Sequence, residues 1–251
     1  MNNSALPATL GPMADRLSYH LDLSADDRAA VLALPFTAKK LERGSYLVRD
    51  GDRTTSSCVM LSGFSMRLKV TGNGHRQILA VHMKGDMVDL QNSLLKKADH
   101  SVQMLTNAEV AMIPREEIVG IATERPRVGQ AMWMDTLVEA SIAREWIMNV
   151  GQRDAHTRIS HLLCEFSLRM RLAGLAKDNT YESPMTQEQL ADTTGLTPVH
   201  VNRTLKLLES EGLIYRRSPR AIEIGDWDKL VKVADFDTNY LHLREDEHAL
   251  Q

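Results

Sequence analysis

Residues 184–224 hold the side chains whose type and spacing could do chemistry. Arg203 stands four positions after Val199 and three before Lys206, so the three share a face if the segment is helical. A guanidinium placed there can clamp O6 and N7 of a guanine in two parallel hydrogen bonds, worth about 1–3 kcal/mol of base discrimination. Val199 offers apolar contact alone, of the kind a thymine methyl accepts. Further on, Arg216, Arg217 and Arg220 crowd a short stretch, a cationic grip suited to phosphate. The candidate nucleic-acid contacts are therefore Thr197, Pro198, Val199, His200, Asn202, Arg203, Lys206, Arg216 and Arg217. Within that set, His200, Asn202 and Lys206 suit phosphate or water-mediated contacts.

Other chemistries find little support. No HExxH, P-loop or GxSxG motif occurs, nor a carboxylate pair in a defined setting, so an enzyme is not expected. Cys58 and Cys164 have no neighbouring cysteine, which excludes a Cys-rich zinc or iron–sulfur centre built from this chain. Both read as packed apolar residues.

The arginines need a scaffold, and local signals supply one. Thr186 stands three residues before Gln189, a capping-box spacing that opens a short helix with Leu190 and Ala191 inward. Gly195 can stop that helix in the left-handed conformation. Thr197-Pro198 then opens a second helix, Thr as N-cap and Pro at the first position, with Val201, Leu205 and Leu208 inward. Two helices about a Gly turn form a helix-turn-helix pattern, and YRRSPRAIEI after Ile214 reads as strand, turn and strand, a wing.

Upstream, residues 1–17 read as a loose lead-in, and Ser24 caps a short helix over SADDRAAVLAL. From about 36 to 115, short apolar runs punctuated by glycine suggest a β-roll. Phe64, Met66, Leu68 and Val70 alternate with Ser65, Arg67, Lys69 and Thr71, the period of a half-buried strand. Thr71–Gly74 is a hairpin turn into QILAVHM. REEIVGIA is helical, and after Pro126 one helix of about 25 residues carries apolar side chains on more than one stripe. Such a helix must bury two faces. Met134, Val138, Ile142 and Trp146 are the positions expected at a seam with a second copy. AHTRISHLLCEFSLRMRLAG is a further helix, Ile159, Leu162, Leu163, Phe166 and Leu168 inward and Arg158, Arg169 and Arg171 in water. LAKDNTYESPM reads as a polar loop, residues 226 onward as an amphipathic helix, and the last residues as frayed.

The fold class is thus α+β, in five parts: 1–24 lead-in, 25–125 β-roll, 126–152 long dimerisation helix, 153–225 winged helix-turn-helix, and 226–251 C-terminal helical extension. At 251 residues, 43% hydrophobic and 25% charged, the chain has the length and composition of two globular domains. No apolar run of about 18 residues spans a membrane, and no basic start with an apolar core marks secretion, so a cytoplasmic location is expected. The net charge of −3 by itself argues against DNA binding, although a nucleic-acid protein needs only a local basic footprint. Within 184–224, five basic residues face five acidic ones, and only 216–220 is a local basic footprint.

This order of β-roll, long helix and winged helix resembles the cyclic-AMP receptor/fumarate–nitrate regulator (Crp/Fnr) family of bacterial transcription factors. QEQLADTTGLTPVHVNRTLKLLESEGLI carries the resemblance most strongly, and RGSYLVRDGD with LSGF matches the first sensor strands. The resemblance implies a homodimer reading a two-fold symmetric operator. The partners it implies are double-stranded DNA, a second copy, RNA polymerase and a small-molecule effector of unknown identity. Two departures qualify it. Cyclic-nucleotide members carry a Gly-Glu pair and, about ten residues later, an Arg before a small hydroxyl residue. Here Val88-Asp89-Leu90 and Asp99-His100-Ser101 stand in those places, so cyclic AMP is not expected. The family's N-terminal Cys cluster is missing, so an iron–sulfur cluster is not expected either. Nor is haem, for which His82 and His100 would be isolated ligands. In the recognition helix, Val199 replaces the Glu that commonly accepts from a cytosine amine, while Arg203 is retained. An operator that keeps a guanine contact but departs from the family's usual sequence is expected. A protein-interaction module that no longer reads DNA is the second reading.

Overall fold

The computed structural model describes residues 9–177, 179–218 and 220–244. By its internal contacts the chain forms two units, residues 9–67 with 81–137, and residues 68–80 with 138–244.

In the first unit, residues 11–20 are not the loose lead-in that their sequence suggests. Helix α1 (Gly11–His20) begins with Pro12 in its first turn, where a missing N–H costs nothing. Leu10, Met13, Ala14 and Leu17 fall at helical spacing and are completely buried. Residues 1–8 of the expected lead-in lie outside the described residues. Ser24 caps α2 (Ala25–Leu32) by accepting from the Asp27 N–H, as its sequence predicts.

Two four-stranded sheets follow. One has the order β1 (Thr37–Leu41), β8 (Ala108–Pro114), β3 (Ser56–Ser62), β6 (Met87–Val88); the other β2 (Tyr46–Val48), β7 (Ser101–Met104), β4 (Ser65–Val70), β5 (Arg76–His82). Their register aligns Ala38 with Ala111 and Cys58 with both Met112 and Val88. Val48, Cys58, Met60, Val88, Val102, Met104 and Val110 come from both sheets and form one apolar filling. This is the β-roll that the sequence implies. Then come α3 (Arg115–Glu124) and α4 (Pro126–Gln152). They approach so closely that a Cβ on Gly129 would stand 2.6 Å from the Ala122 carbonyl oxygen.

The second unit centres on α5 (Ala155–Leu172), capped by Asp154 through the Thr157 N–H. Its buried residues include Ile159, Leu162, Leu163, Phe166 and Leu168, and also His161 and Glu165. Arg158, Arg169 and Arg171, expected in water, are half-buried and engaged. Arg158 donates to the Thr194 and Arg153 carbonyls, Arg169 to Glu165, and Arg171 lies over the Trp227 ring. The expected polar loop before the helix-turn-helix instead contains β9 (Ala176–Lys177) and β10 (Thr180–Glu182). They extend the wing strands β11 (Ile214–Arg216) and β12 (Ala221–Ile224) into a sheet of order β11-β12-β10-β9. Tyr181 is buried there, opposite Ile222. The C-terminal helix is shorter than expected: α8 (Trp227–Ala234) stops where Asp235 turns left-handed, and a 3-10 turn spans Asn239–Leu241. The frayed end expected after this falls on residues 245–251, outside the described residues.

Candidate nucleic-acid interface

The helix-turn-helix forms by the local rules its sequence announces. Helix α6 (Gln187–Thr194) has a complete capping box, with Thr186 accepting from the Gln189 N–H and Gln189 accepting from the Thr186 N–H. Gly195 takes φ 65°, and a Cβ there would also meet Val150 Cγ1 at 3.2 Å. Helix α7 (Pro198–Ser210) starts with Thr197 accepting from the His200 N–H. Val201, Thr204, Leu205 and Leu208 are buried beneath it. Outward, Val199 is 80% exposed, and Arg203 and Lys206 are exposed with it. His200 and Asn202 flank them half-buried. Arg203 has no ion-pair partner among the described residues, so its guanidinium stands ready for an outside acceptor. From underneath, Arg158 Nη1 donates to the Thr194 carbonyl at 2.7 Å, and Arg76 pairs with Asp192 at 2.5 Å.

Arg216 and Arg217 are placed on the wing but are not free. Arg216 Nη2 lies 2.5 Å from Glu209 Oε2, in the last turn of α7, and Arg217 Nε lies 2.5 Å from Glu223 Oε2 across the hairpin. Arg217 also stacks over the Tyr215 ring. Each guanidinium holds its partner carboxyl below the usual carboxylate range. Between the strands, Ser218 Oγ accepts from the N–H groups of Arg220 and Ala221; Pro219, expected at the tip, lies outside the described residues. The basic residues are visible in the sequence, whereas their acidic partners Glu209 and Glu223 are joined to them only by the fold.

Behind the helix-turn-helix sits a buried polar cluster. Glu165 Oε2 accepts from Trp146 Nε1 and from the Tyr240 hydroxyl, both at 2.9 Å. His161 stacks on Tyr240 and meets Phe236 edge-on. Burial, with Arg153 nearby, pushes the His161 imidazole down to about 3, so it stays neutral although Glu145 Oε1 is 3.1 Å away. Of the four positions expected at a dimer seam, Met134 is exposed and Ile142 half-buried, whereas Val138 and Trp146 are buried by the chain itself. The exposed apolar residues of α4 are Trp133, Met134, Leu137, Ile147 and Met148.

In the β-roll, Asp89, His100, Arg67 and Asp99 form an ionic cluster. Asp89 is completely buried and left-handed at φ 58°. Its Oδ1 accepts from His100 Nε2 at 2.7 Å and from Arg67 Nη2 at 3.1 Å. His100 Nδ1 faces Asp99 at 2.7 Å. Burial pushes the Asp89 carboxyl up, but His100 and Arg67 overcome it and hold Asp89 low. His100 is raised in turn: burial opposes its charge, and Asp89 outweighs burial. Cys58, donating to the Val88 carbonyl, is pushed up by burial and by Asp89; Cys164 is pushed up by burial. Neither thiol is a reactive thiolate. Among the described residues no group of metal ligands gathers, and no helix is long and apolar enough to cross a membrane.

The comparisons with known proteins match both units. Residues 38–125 match the cyclic nucleotide-binding domain model, and residues 157–233 the Crp-like helix-turn-helix domain model. The chain is 24% identical over 204 residues to the transcriptional activator protein FnrL of Cereibacter sphaeroides, covering 80% of this chain and 82% of that one. It is 25% identical over 198 residues to the nitrogen fixation regulation protein FixK of Azorhizobium caulinodans, covering 79% of each. Its fold resembles that of FixK2 from Bradyrhizobium japonicum, with a TM-score of 0.74 at 22% identity over 80% of this chain and 98% of that one.

Proposed function

The chain belongs to the Crp/Fnr family of DNA-binding transcription regulators, and from that premise we propose a homodimer that reads a palindromic operator without cyclic AMP. The observation that carries this reading is Arg203, without an ion-pair partner among the described residues on the outer face of α7, one turn beyond an exposed Val199. Two such helices, one from each protomer, enter successive major grooves about 34–36 Å apart. Arg203 takes a guanine in each half-site, and Val199 meets an apolar base edge in place of the family's cytosine contact. Thr197, Pro198, His200, Asn202 and Lys206 border the same groove. The α7 N-terminus and the wing arginines supply backbone contacts.

Dimer formation rests on the outer face of α4, where Trp133, Met134, Leu137, Ile147 and Met148 leave apolar surface in water. Exclusion of cyclic AMP rests on Asp89. A phosphodiester entering beside it would meet a buried like charge, and the cations that could bind it are already engaged. The names of the activators among its relatives support a role in activating transcription, with RNA polymerase as the proposed partner.

The test is selection of duplex DNA from a random pool by the full chain, then anisotropy titration of the selected operator. Arg203→Ala should lose about tenfold or more in operator affinity and accept other bases at the guanine position. Wild-type affinity in that variant would remove Arg203 from the contact. Cyclic AMP should leave both operator affinity and melting temperature unchanged.

A further inference from the structure

Two carboxylates stand where the wing should meet phosphate. Glu209 Oε2 is 2.5 Å from Arg216 Nη2, and Glu223 Oε2 is 2.5 Å from Arg217 Nε. The pairs arise independently, one between a helix end and a strand, the other between the residue that follows β11 and strand β12. A carboxylate offers a guanidinium the same pair of oxygen acceptors that a phosphate offers. Arg216 is used on one side only: its Nε is buried and has no partner among the described residues. Along 184–224 the charges balance five against five, so these pairs remove much of the local basic footprint.

We propose that Glu209 and Glu223 are internal phosphate mimics that set the DNA selectivity of this chain by occupying Arg216 and Arg217 until a duplex displaces them. The inference rests on the wing contacting DNA as proposed above. Non-specific binding is almost entirely electrostatic and driven by counterion release. When Arg216 leaves Glu209 for a phosphate, the DNA releases a cation but the freed carboxylate attracts one, and the gain largely cancels. Operator binding keeps its base contacts at Arg203 and suffers proportionally less. The glutamates therefore depress affinity for any duplex and raise the ratio between operator and other DNA.

The experiment compares the full-length wild type with Glu209→Gln, Glu223→Gln and the double variant. Each is titrated against the selected operator and a scrambled duplex across a salt series. Glutamine keeps the shape of the side chain and removes its charge. The double variant should bind scrambled DNA about tenfold tighter at low salt, and its log–log salt slope should steepen by up to about 0.9 for each arginine released. Operator affinity should rise less, so selectivity falls. Arg216→Ala should cost little scrambled-DNA affinity in the wild type and more in the Glu209→Gln background. That coupling would not arise from a structural role alone. Unchanged slopes, or weaker binding by the glutamine variants, would overturn the inference and make the glutamates orienting groups. If the wild type discriminates through Arg203 while the double variant behaves like it, only this inference falls. If the wild type binds no duplex even at low salt, the wing reading and this inference fall together.

Discussion

Trp146 in the long helix donates its indole N–H to Glu165 in the following helix at 2.9 Å, and both side chains are buried. Tyr240 donates to the same oxygen, and Arg169 pairs with the other at 3.1 Å. A buried carboxyl with three donors is costly to remove, because its partners are then left without an acceptor. Glu165→Ala should lower unfolding free energy by about 3–5 kcal/mol. Trp146→Phe, which loses one hydrogen bond to a charged group, should cost about 1.5–3 kcal/mol. Urea denaturation at neutral pH measures both. Equal small losses would mean that the cluster is not cooperative.

Acid should weaken this region through His161. Its folded-state affinity for protons is depressed from the ordinary 6.5 to about 3, so the unfolded chain binds the proton first. Stability from this group is complete above pH 6.5 and declines as pH falls toward 3. His161→Gln should flatten the dependence of the urea midpoint on pH between about 7 and 5, where the wild type loses stability. An unchanged slope would show that His161 takes up its proton without opening the cluster.

The Asp89–His100 cluster carries the opposite sign on its alkaline side. His100 is raised above 6.5, so its contribution is complete below 6.5 and is lost as pH rises through the folded value. Asp89 is lowered below 3.8, so its contribution is present above that value and is lost as acid reaches the folded value. The ionic cluster is therefore strongest between the two. His100→Asn should abolish the alkaline loss. Asp89→Asn should destabilise the chain at every pH between them, by removing the carboxylate charge that His100 and Arg67 pair with. Chemical denaturation at about pH 6 and about pH 8.5 separates the two effects.

How much of this was legible in the sequence differs from element to element. The helix-turn-helix was readable because Thr186 with Gln189, Gly195, and Thr197 with Pro198 are local rules that agree with one another. The alternation over Phe64–Val70 was readable only in part. Ser65 is completely buried, facing His82 Nδ1 at 3.2 Å, and Val70 is 58% exposed near the strand end. Strands of two or three residues have no period to read, so β9 and β10 appear only once Tyr181 is paired with Ile222. Helix α1 was hidden differently: its apolar spacing is present, but in a short stretch whose burial depends on distant partners. The acidic partners of Arg216 and Arg217 lie seven and six positions away, and only the folded wing brings them together.

The seam proposed on α4 is narrowed by contrasting adjacent residues of the helix. Val138 and Trp146 are 3% and 7% exposed in the single chain, so their surface is already used. Trp133, Leu137 and Ile147 are 67%, 49% and 73% exposed. Positions 133, 137, 140, 144 and 147 follow a helical face, and the large apolar side chains at 133, 137 and 147 are left in water unless a second copy covers them. Leu137→Glu combined with Ile147→Glu should therefore convert dimer to monomer in sedimentation equilibrium while leaving far-UV circular dichroism unchanged. Affinity for a full palindrome should then fall toward that for a single half-site, because the second recognition helix is no longer tethered to the first. Val138→Ala should act in the other direction, costing about 1.6 kcal/mol or more as a buried truncation, at about 0.8 kcal/mol for each carbon group removed plus the cavity, while leaving association intact. A dimer that survives both glutamates would move the seam off this face of the helix.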